Sequence, residues 1–384
     1  VSGNGKPFVV AVDARVVFDE VPRGIAKSVI GLYRALAEVR PGWRFRLFHQ
    51  DGVNDNPFAD LPNVSAERID IRGDRFRLWE VVRLPAAVWS AGADVFHAPA
   101  GPAPRFVPAP VATTIHDLIP LETRATEPDV RRWGRQVRRT AAAARVILTP
   151  SEHSRQRIAH HFGLPAERVT VVRWGPVSAP GPARPADLPA RYGVAAGQRY
   201  VLHFGMADPR KNTARVIDSW AGVPADPAGG PVLVVVGVEP AAVPGFVTRA
   251  KAAGVADRVR VHGYAPEADI RGLLAGAVAL CYPTLYEGFG LPILDAFAAD
   301  VPVVAGGGTS VPEVTGDAAE VVDPTDPRAI AGGVARVLGD PGRRAELVAR
   351  GRDRLARFDW RATAELVAGV FERAARRPAH GRLG

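Results

Sequence analysis

At 384 residues the chain is too long for one ordinary core, and its 47% apolar fraction supplies enough buried surface for two. It holds no apolar run of the roughly 18 residues that a membrane-spanning helix needs, and its polar start, Val1-Ser-Gly-Asn-Gly-Lys-Pro, lacks a signal-peptide core. A single cysteine, Cys281, excludes an internal disulfide and, with the rest, makes the cytoplasm the expected location. The net charge of +9 is uneven: residues 1–182 hold 25 basic and 18 acidic side chains, residues 183–384 hold 24 and 22. The excess on the first half suits an acidic acceptor, an anionic membrane surface or nothing specific.

Phe8-Val-Val-Ala-Val-Asp13 reads as a first strand, and Arg23-Gly24-Ile25-Ala26-Lys27 as a glycine turn into an amphipathic helix ending near Glu38. Trp43 to His49 and Val64 to Ile71 read as further strands. Arg68 to Arg83 mixes five arginines (68, 72, 75, 77 and 83) with Phe76, Leu78 and Trp79. That mixture suits nucleic acid, but a helix with a solvated face is the preferred reading, and no nucleic-acid partner is expected. Asp94 to His97 and Val111 to Ile115 are two buried strands, the second ending in His116-Asp117. The helix over Val130 to Arg145 carries arginines at 131, 132, 135, 138, 139 and 145. Such a helix can lie on an anionic membrane at the inner face, although its alanine-rich apolar side limits insertion; a solvated or acceptor-facing role is preferred. Arg145 to Thr149 is a strand, Ser151 an N-cap for a helix to Phe162, and Val169 to Val172 the last strand of this half.

Pro176 to Pro189 holds five prolines and reads as a linker. It divides the chain into domains over residues 1–182 and 183–358, with a C-terminal helix, residues 359–384, that crosses back to the first. Beyond the linker, Tyr200 to Phe204 is a strand, Gly205 to Lys211 a loop, and Asn212 the cap of a helix to Trp220. Pro231 to Val236, Val259 to His262, Ala277 to Cys281 and Val301 to Ala305 complete a second sheet, with near-continuous valine as expected of a parallel sheet covered on both faces. The fold class is therefore α/β, with two Rossmann-like, doubly wound parallel-sheet domains facing a cleft, where the carboxyl ends of the strands receive ligands.

The strand ending at Cys281 runs into Tyr282-Pro-Thr-Leu-Tyr-Glu287-Gly-Phe-Gly-Leu-Pro-Ile-Leu-Asp295. Strand, glycine loop and helix start present backbone N–H groups and a positive helix end to an anion. Glu287 on the loop and Asp295 on the helix flank that cradle, an arrangement that suits a nucleotide sugar. Gly288-Phe-Gly290 does not extend to a dinucleotide fingerprint, because Ile293 stands where the third glycine would be. Asp208-Pro-Arg210-Lys211-Asn212 places two cations between a strand and a helix of the same domain. His116 ends a strand of the first domain. No Asp-x-Asp, Walker A or Gly-x-Ser-x-Gly occurs, and no His/Cys metal spacing.

With these residues in place, Glu287-Gly-Phe-Gly-Leu-Pro-Ile-Leu-Asp295 resembles the acid-x7-acid signature of the family 4 retaining glycosyltransferases. The Arg210-Lys211-Asn212 loop is similar to that of bacterial mannosyltransferase-like members. Gly24-Ile25, Asp94 to His97, Ile115-His116-Asp117, Ile147 to Arg155, Val311 to Val314 and Phe358-Asp-Trp360 extend the resemblance along most of the chain. The resemblance implies a GT-B type fold and metal-independent, retaining transfer of a hexose from a nucleotide diphosphate sugar to a glycan or small-molecule hydroxyl. GDP-mannose is the favoured donor and no cofactor is required. It also implies catalytic roles for His116, Arg210, Lys211 and Glu287. Donor-binding positions follow at Gly24, Gly205, Gly288, Phe289, Gly290, Leu291 and Asp295. Two positions depart from the family pattern: the second acid is usually Glu, not Asp295, and the N-terminal loop usually has a second glycine where Ala26 stands. These departures keep open a nucleotide-sugar-binding protein without transfer activity, and the arginines at 131–145 keep open a peripheral membrane transferase acting on a lipid-linked glycan.

Overall fold

The computed structural model describes residues 5–19, 24–50, 56–70, 78–177, 187–225 and 230–376. Arg23, Arg72, Arg75, Phe76, Arg77 and the central linker prolines 180, 182 and 185 lie outside the described residues. The chain forms two compact units: one holds residues 1–175 together with 359–384, the other residues 176–358.

The first unit is built on a seven-stranded sheet. Its strands are β1 (Val9–Asp13), β2 (Arg44–His49), β3 (Val64–Arg68), β4 (Val95–Ala98), β5 (Val111–Thr114), β6 (Val146–Thr149) and β7 (Val169–Val171). All pair in parallel, in the order β3-β2-β1-β4-β5-β6-β7. The chain therefore winds outward through β2 and β3, then returns to the other side of β1, and the reversal falls between β1 and β4. Helix α1 (Gly24–Val39) already includes Gly24 through Lys27, so the expected glycine turn is the helix's first turn. Ala26 is fully buried there and needs no left-handed backbone. A π-helical turn over Trp79–Arg83 leads into α2 (Leu84–Ser90). Helix α3 (Pro128–Ala143) carries the arginines, and α4 (Glu152–Phe162) starts at Ser151, whose side chain accepts from the Ser154 amide at 3.1 Å.

The second unit holds six parallel strands: β8 (Tyr200–Phe204), β9 (Val232–Val236), β10 (Val259–Val261), β11 (Ala279–Tyr282), β12 (Val303–Gly306) and β13 (Ala319–Val322). Their order is β10-β9-β8-β11-β12-β13, with the reversal between β8 and β11. Strand β12 starts only after Pro302, which has no N–H to give a ladder. Strand β13 was not expected from the sequence. Helix α5 (Thr213–Ser219) follows Asn212, and α6 (Leu291–Ala298) follows Gly290. The core packs Val201, Val216, Ile217, Trp220, Leu233 and Val235 against Val304 and Val334.

Residues 359–376 belong to the first unit. Asp359 caps α7 (Trp360–Ala375) by accepting from the Arg361 amide at 2.9 Å. Thr363, Val367, Val370, Phe371 and Ala374 recur at helical spacing and are buried, the ring of Phe371 lying 5.3 Å from that of His97. The Trp360 indole fits over Gly31 of α1 and over Gly175; a Cβ added at either would stand 2.5 Å from its ring.

Two buried histidines, one in each unit, stay neutral. His97 joins Tyr33 (2.7 Å) and Thr114 (2.9 Å), and burial, helped by His116, lowers its pKa to about 3. His203 donates Nδ1–H to the Cys281 carbonyl at 2.8 Å, and burial lowers its pKa to about 4. Cys281 itself is buried, with its thiol pushed up to about 12.

Gly31→Ala should cost about 1–3 kcal/mol, because the added Cβ would stand 2.5 Å from the Trp360 ring and one of them must shift; urea unfolding of wild type and variant measures it. A second expectation concerns pH. Above pH 6.5 both folded and unfolded chains hold His97 and His203 neutral; below it only the unfolded chain takes the protons, until the folded-state values near 3 and 4 are reached. Stability should therefore fall as pH drops from about 6.5 toward 4, by up to about 1.4 kcal/mol per pH unit for each histidine. His97→Gln should flatten that slope in unfolding curves recorded from pH 7 to 5.

Candidate functional site

The carboxyl ends of β8 and β11 lie side by side, so the loops that follow them, 205–212 and 283–290, share one end of the sheet. Lys211 and Glu287 meet there: Nζ donates to Oε1 at 2.7 Å and to the Tyr282 hydroxyl at 2.8 Å. The same hydroxyl donates to Oε1 of Glu287 at 2.9 Å. Arg210 stands 3.5 Å from the other carboxylate oxygen and donates Nε–H to Asp208 at 2.9 Å. These groups are largely withdrawn from solvent, with side-chain exposures of 8% for Glu287, 15% for Lys211 and 20% for Arg210. Burial opposes the charge of Arg210 most strongly, but Glu287 and Asp208 together outweigh it and hold its pKa above the ordinary value. Burial, reinforced by the Glu287 charge, raises the Tyr282 phenol well above its usual range, so it stays a donor. One buried carboxylate thus faces two cations, and removing Glu287 would strip both of the partner they share.

The loops are laced together by polar side chains. Asn212 sits in the left-handed region (φ 64°), and its side chain does not cap α5 as expected. Instead Nδ2 donates to the carbonyls of Pro283 (2.8 Å) and Pro324 (2.7 Å), tying three loops into one. Thr309 accepts from the Glu287 amide at 3.1 Å, while the Ser310 hydroxyl donates to the Glu287 and Phe289 carbonyls. The loop after β12, Gly306 to Ser310, therefore props up the Glu287 loop, a role the sequence did not reveal. Tyr282 is the other member the sequence left without a task; its place as the last residue of a strand was the available signal.

Gly288, Phe289, Gly290 and Leu291 run on from Glu287 into α6. Gly290 turns the chain at φ 112°, a conformation that favours glycine, and offers no side chain to cap the helix. Phe289 is buried, its ring 5.9 Å from that of Phe358. Asp295 lies on the second turn of α6, where Oδ1 accepts from the Val177 amide at 2.8 Å. Gly205 has a packing reason to lack a side chain: a Cβ would stand 2.5 Å from Val235 and 2.9 Å from Val238.

Gly24 and His116 belong to the first unit. Gly24 is exposed at the start of α1. His116 follows β5, and its Nε2–H donates to the Pro99 carbonyl at 2.8 Å, which leaves Nδ1 as the ring's acceptor. Enclosure lowers its pKa to about 4, the Pro99 contact partly opposing, so the ring is neutral at physiological pH. Among the described residues no group of three or more His, Cys, Asp and Glu side chains is placed to hold a metal, and no helix is long and apolar enough to cross a membrane.

The comparisons with known proteins agree with this arrangement. Residues 22–175 match the family described as Glycosyltransferase Family 4, and residues 186–354 match Glycosyl transferases group 1. The chain is 30% identical over 358 residues to the O-antigen chain mannosyltransferase B of Escherichia coli, covering 88% of this chain and 92% of that protein. Over 130 residues, about a third of each chain, it is 34% identical to the MMP alpha-(1->4)-mannosyltransferase of Mycolicibacterium hassiacum. Among solved structures, Anabaena HepE in complex with UDP-glucose superposes with a TM-score of 0.74 at 20% identity, covering 95% of this chain and 99% of that one. WaaG, a glycosyltransferase involved in lipopolysaccharide biosynthesis, gives 0.73 at 17%, covering 95% of this chain and 99% of that one. Two parallel α/β units of the GT-B kind, matched along nearly their whole length by a mannosyltransferase, identify the chain as a member of the family 4 glycosyltransferases, in its bacterial mannosyltransferase-like group.

Proposed function

We propose that the protein is a retaining, metal-independent hexosyltransferase that moves a mannosyl group from a nucleotide diphosphate sugar, GDP-mannose first among candidates, to a glycan or small-molecule hydroxyl. The observation that carries this reading is the Arg210–Lys211–Glu287 cluster beside the uncapped start of α6. In glycosyl transfer the bond from the sugar's anomeric carbon to the phosphate oxygen breaks, a bond to the acceptor oxygen forms, and the acceptor hydroxyl's proton passes to the departing phosphate oxygen. Negative charge grows on the departing diphosphate. Arg210 and Lys211 are already desolvated and fixed by carboxylates, so they meet that charge without reorganisation. Amides at the start of α6 supply further donors. Glu287 orients Lys211 and accepts from sugar hydroxyls. Asp295 receives the ribose diol, sharing a carboxylate that already takes the Val177 amide. His116, neutral, accepts a sugar hydroxyl at Nδ1 and does not serve as a cationic acid. The mannosyltransferases of E. coli and M. hassiacum support the choice of sugar.

Lys211→Ala and Glu287→Ala should each lower turnover by about 10²–10³ while the circular-dichroism spectrum is kept. Near wild-type turnover in either variant would remove this site assignment. Proton NMR of the product should show the donor's anomeric configuration, and EDTA should leave the rate unchanged. If purified protein binds GDP-mannose yet neither transfers nor hydrolyses it with any acceptor, the chain is a binding protein instead.

A second reading, that the enzyme works at an anionic membrane surface, is favoured by one observation. Leu78, Val81, Val82 and Trp89 are exposed along the helical segment around α2, the last at 76%, in the same unit as the α3 arginines. Co-sedimentation with phosphatidylglycerol vesicles but not with phosphatidylcholine vesicles is the expected outcome; equal binding to both counts against it.

A further inference from the structure

The first unit has its own reversal point, between β1 and β4, and a cavity of about 610 Å³ opens there. That volume lies within the range of small-molecule sites. Its wall is formed by residues after β1 (Asp13, Arg15), the loop after β4, Glu80, and one face of α3 (Arg132, Trp133, Gln136).

The electrostatics of this wall differ from those of the β8–β11 site. Arg15 donates to both oxygens of Asp13, at 2.8 and 2.6 Å, and to Glu80 at 3.2 Å, and its guanidinium lies 4.4 Å from the centre of the Trp79 ring. Its charge is committed to two carboxylates. Counting Asp19, three carboxylates and two guanidiniums line the cavity among the described residues, so an anion entering it meets an acidic wall. A phosphate site would require the reverse balance.

Trp133 supplies the apolar half. It is half-buried, packed against the cluster of Ile115, Leu118, Val137 and Ile158, and it lines the cavity as well. Its neighbour Gly134 lets α3 approach closely: a Cβ there would stand 2.5 Å from Leu121. A rigid indole beside carboxylates and a carboxamide is the donor–acceptor and stacking chemistry that suits a ring with polar edges and an apolar face.

We infer that this cavity is a subsite for an uncharged sugar ring, which stacks on Trp133 and directs its hydroxyls to Asp13, Glu80 and Gln136, and that it refuses sugars bearing phosphate. The inference rests on the transferase reading for its purpose, since it names the acceptor as a neutral glycosyl end, but it concerns a separate set of residues.

The test is saturation-transfer NMR and calorimetry on the full chain, using a panel of neutral mono- and disaccharides that includes methyl α-mannoside and α-mannobiose. Mannose 6-phosphate and glucose 1-phosphate are the charged counterparts, and GDP and UDP are titrated separately. At least one neutral sugar should bind, and the phosphorylated sugars should bind about tenfold more weakly or not at all. Trp133→Ala should weaken the neutral sugar about tenfold, Trp133→Phe should restore most of the affinity, and both should leave the nucleotide affinities unchanged. Preference for the phosphorylated sugars, absence of any neutral ligand on the panel, or indifference to Trp133→Ala in a folded protein overturns the inference. Failure to bind GDP and UDP would instead count against the transferase reading and leave the sugar result standing on its own.

Discussion

The pairing of β8 with β11 is the constraint on which the second unit's chemistry depends. Lys211 and Glu287 are 76 residues apart, and no local interaction would bring them together. The register that sets Val201 opposite Ala279 and Leu202 opposite Leu280 puts the ends of both strands at one level. The following loops then have only a few residues in which to diverge. Asn212 removes that freedom by donating to Pro283 and Pro324. The chain spends a left-handed, non-glycine backbone position there, at φ 64°, in order to aim an amide across two loops. A residue that merely capped α5 would leave the lysine on a mobile tether.

The two units solve the same geometrical problem with different charge. Each reverses its strand order once; the second gathers side chains from the loops after the two strands beside the reversal, the first from the end of β1 and from the π-helical turn before α2. In the second unit the gathered groups are Arg210 and Lys211 against Glu287, two cations against one carboxylate. In the first they are Asp13 and Glu80 closing on Arg15, two carboxylates against one guanidinium. The sequence-wide excess of basic residues in the first half is therefore a poor guide to this cavity. Five of those basic residues stand on α3, where residues 131, 132, 135, 138 and 139 are exposed.

Much of the fold was legible because parallel strands buried on both faces are mostly apolar, and Val232–Val236 carries that signature throughout, Tyr200–Phe204 at all but His203. Strand β13 lacked it. Ala319-Glu320-Val321-Val322 places a carboxylate in mid-strand, and that carboxylate is almost fully buried because Arg336 (2.7 Å) and Arg343 (3.1 Å) reach it from later helices. Compensation by residues 16 and 23 positions away does not show in a local pattern. The candidate site divides in the same way. Glu287, Gly288 and Gly290 announce themselves by spacing next to a strand, whereas the parts played by Tyr282, Thr309 and Ser310 depend on which loops the sheet brings together. Asn212 was misread for the same reason: an asparagine before a helix normally caps it, and only the proximity of two proline carbonyls redirects it.

Charge balance gives the cluster a direction. A single carboxylate between two cations, all three substantially desolvated, leaves a net positive charge in a poorly hydrated place, and such a charge is costly unless something answers it. Asp208 answers part of it through the Nε of Arg210, but its own side chain is 38% exposed and so partly spent on water. The loop that carries Glu287 turns at Gly290 into α6, where the peptide dipoles add the same sign. An anion with two charges held close together would neutralise Lys211 and Arg210 and satisfy the helix amides at once, which one carboxylate or one sugar hydroxyl does not. The charge of the cluster is in this sense incomplete, which supports the proposed diphosphate donor before any contact to the sugar or the base is considered.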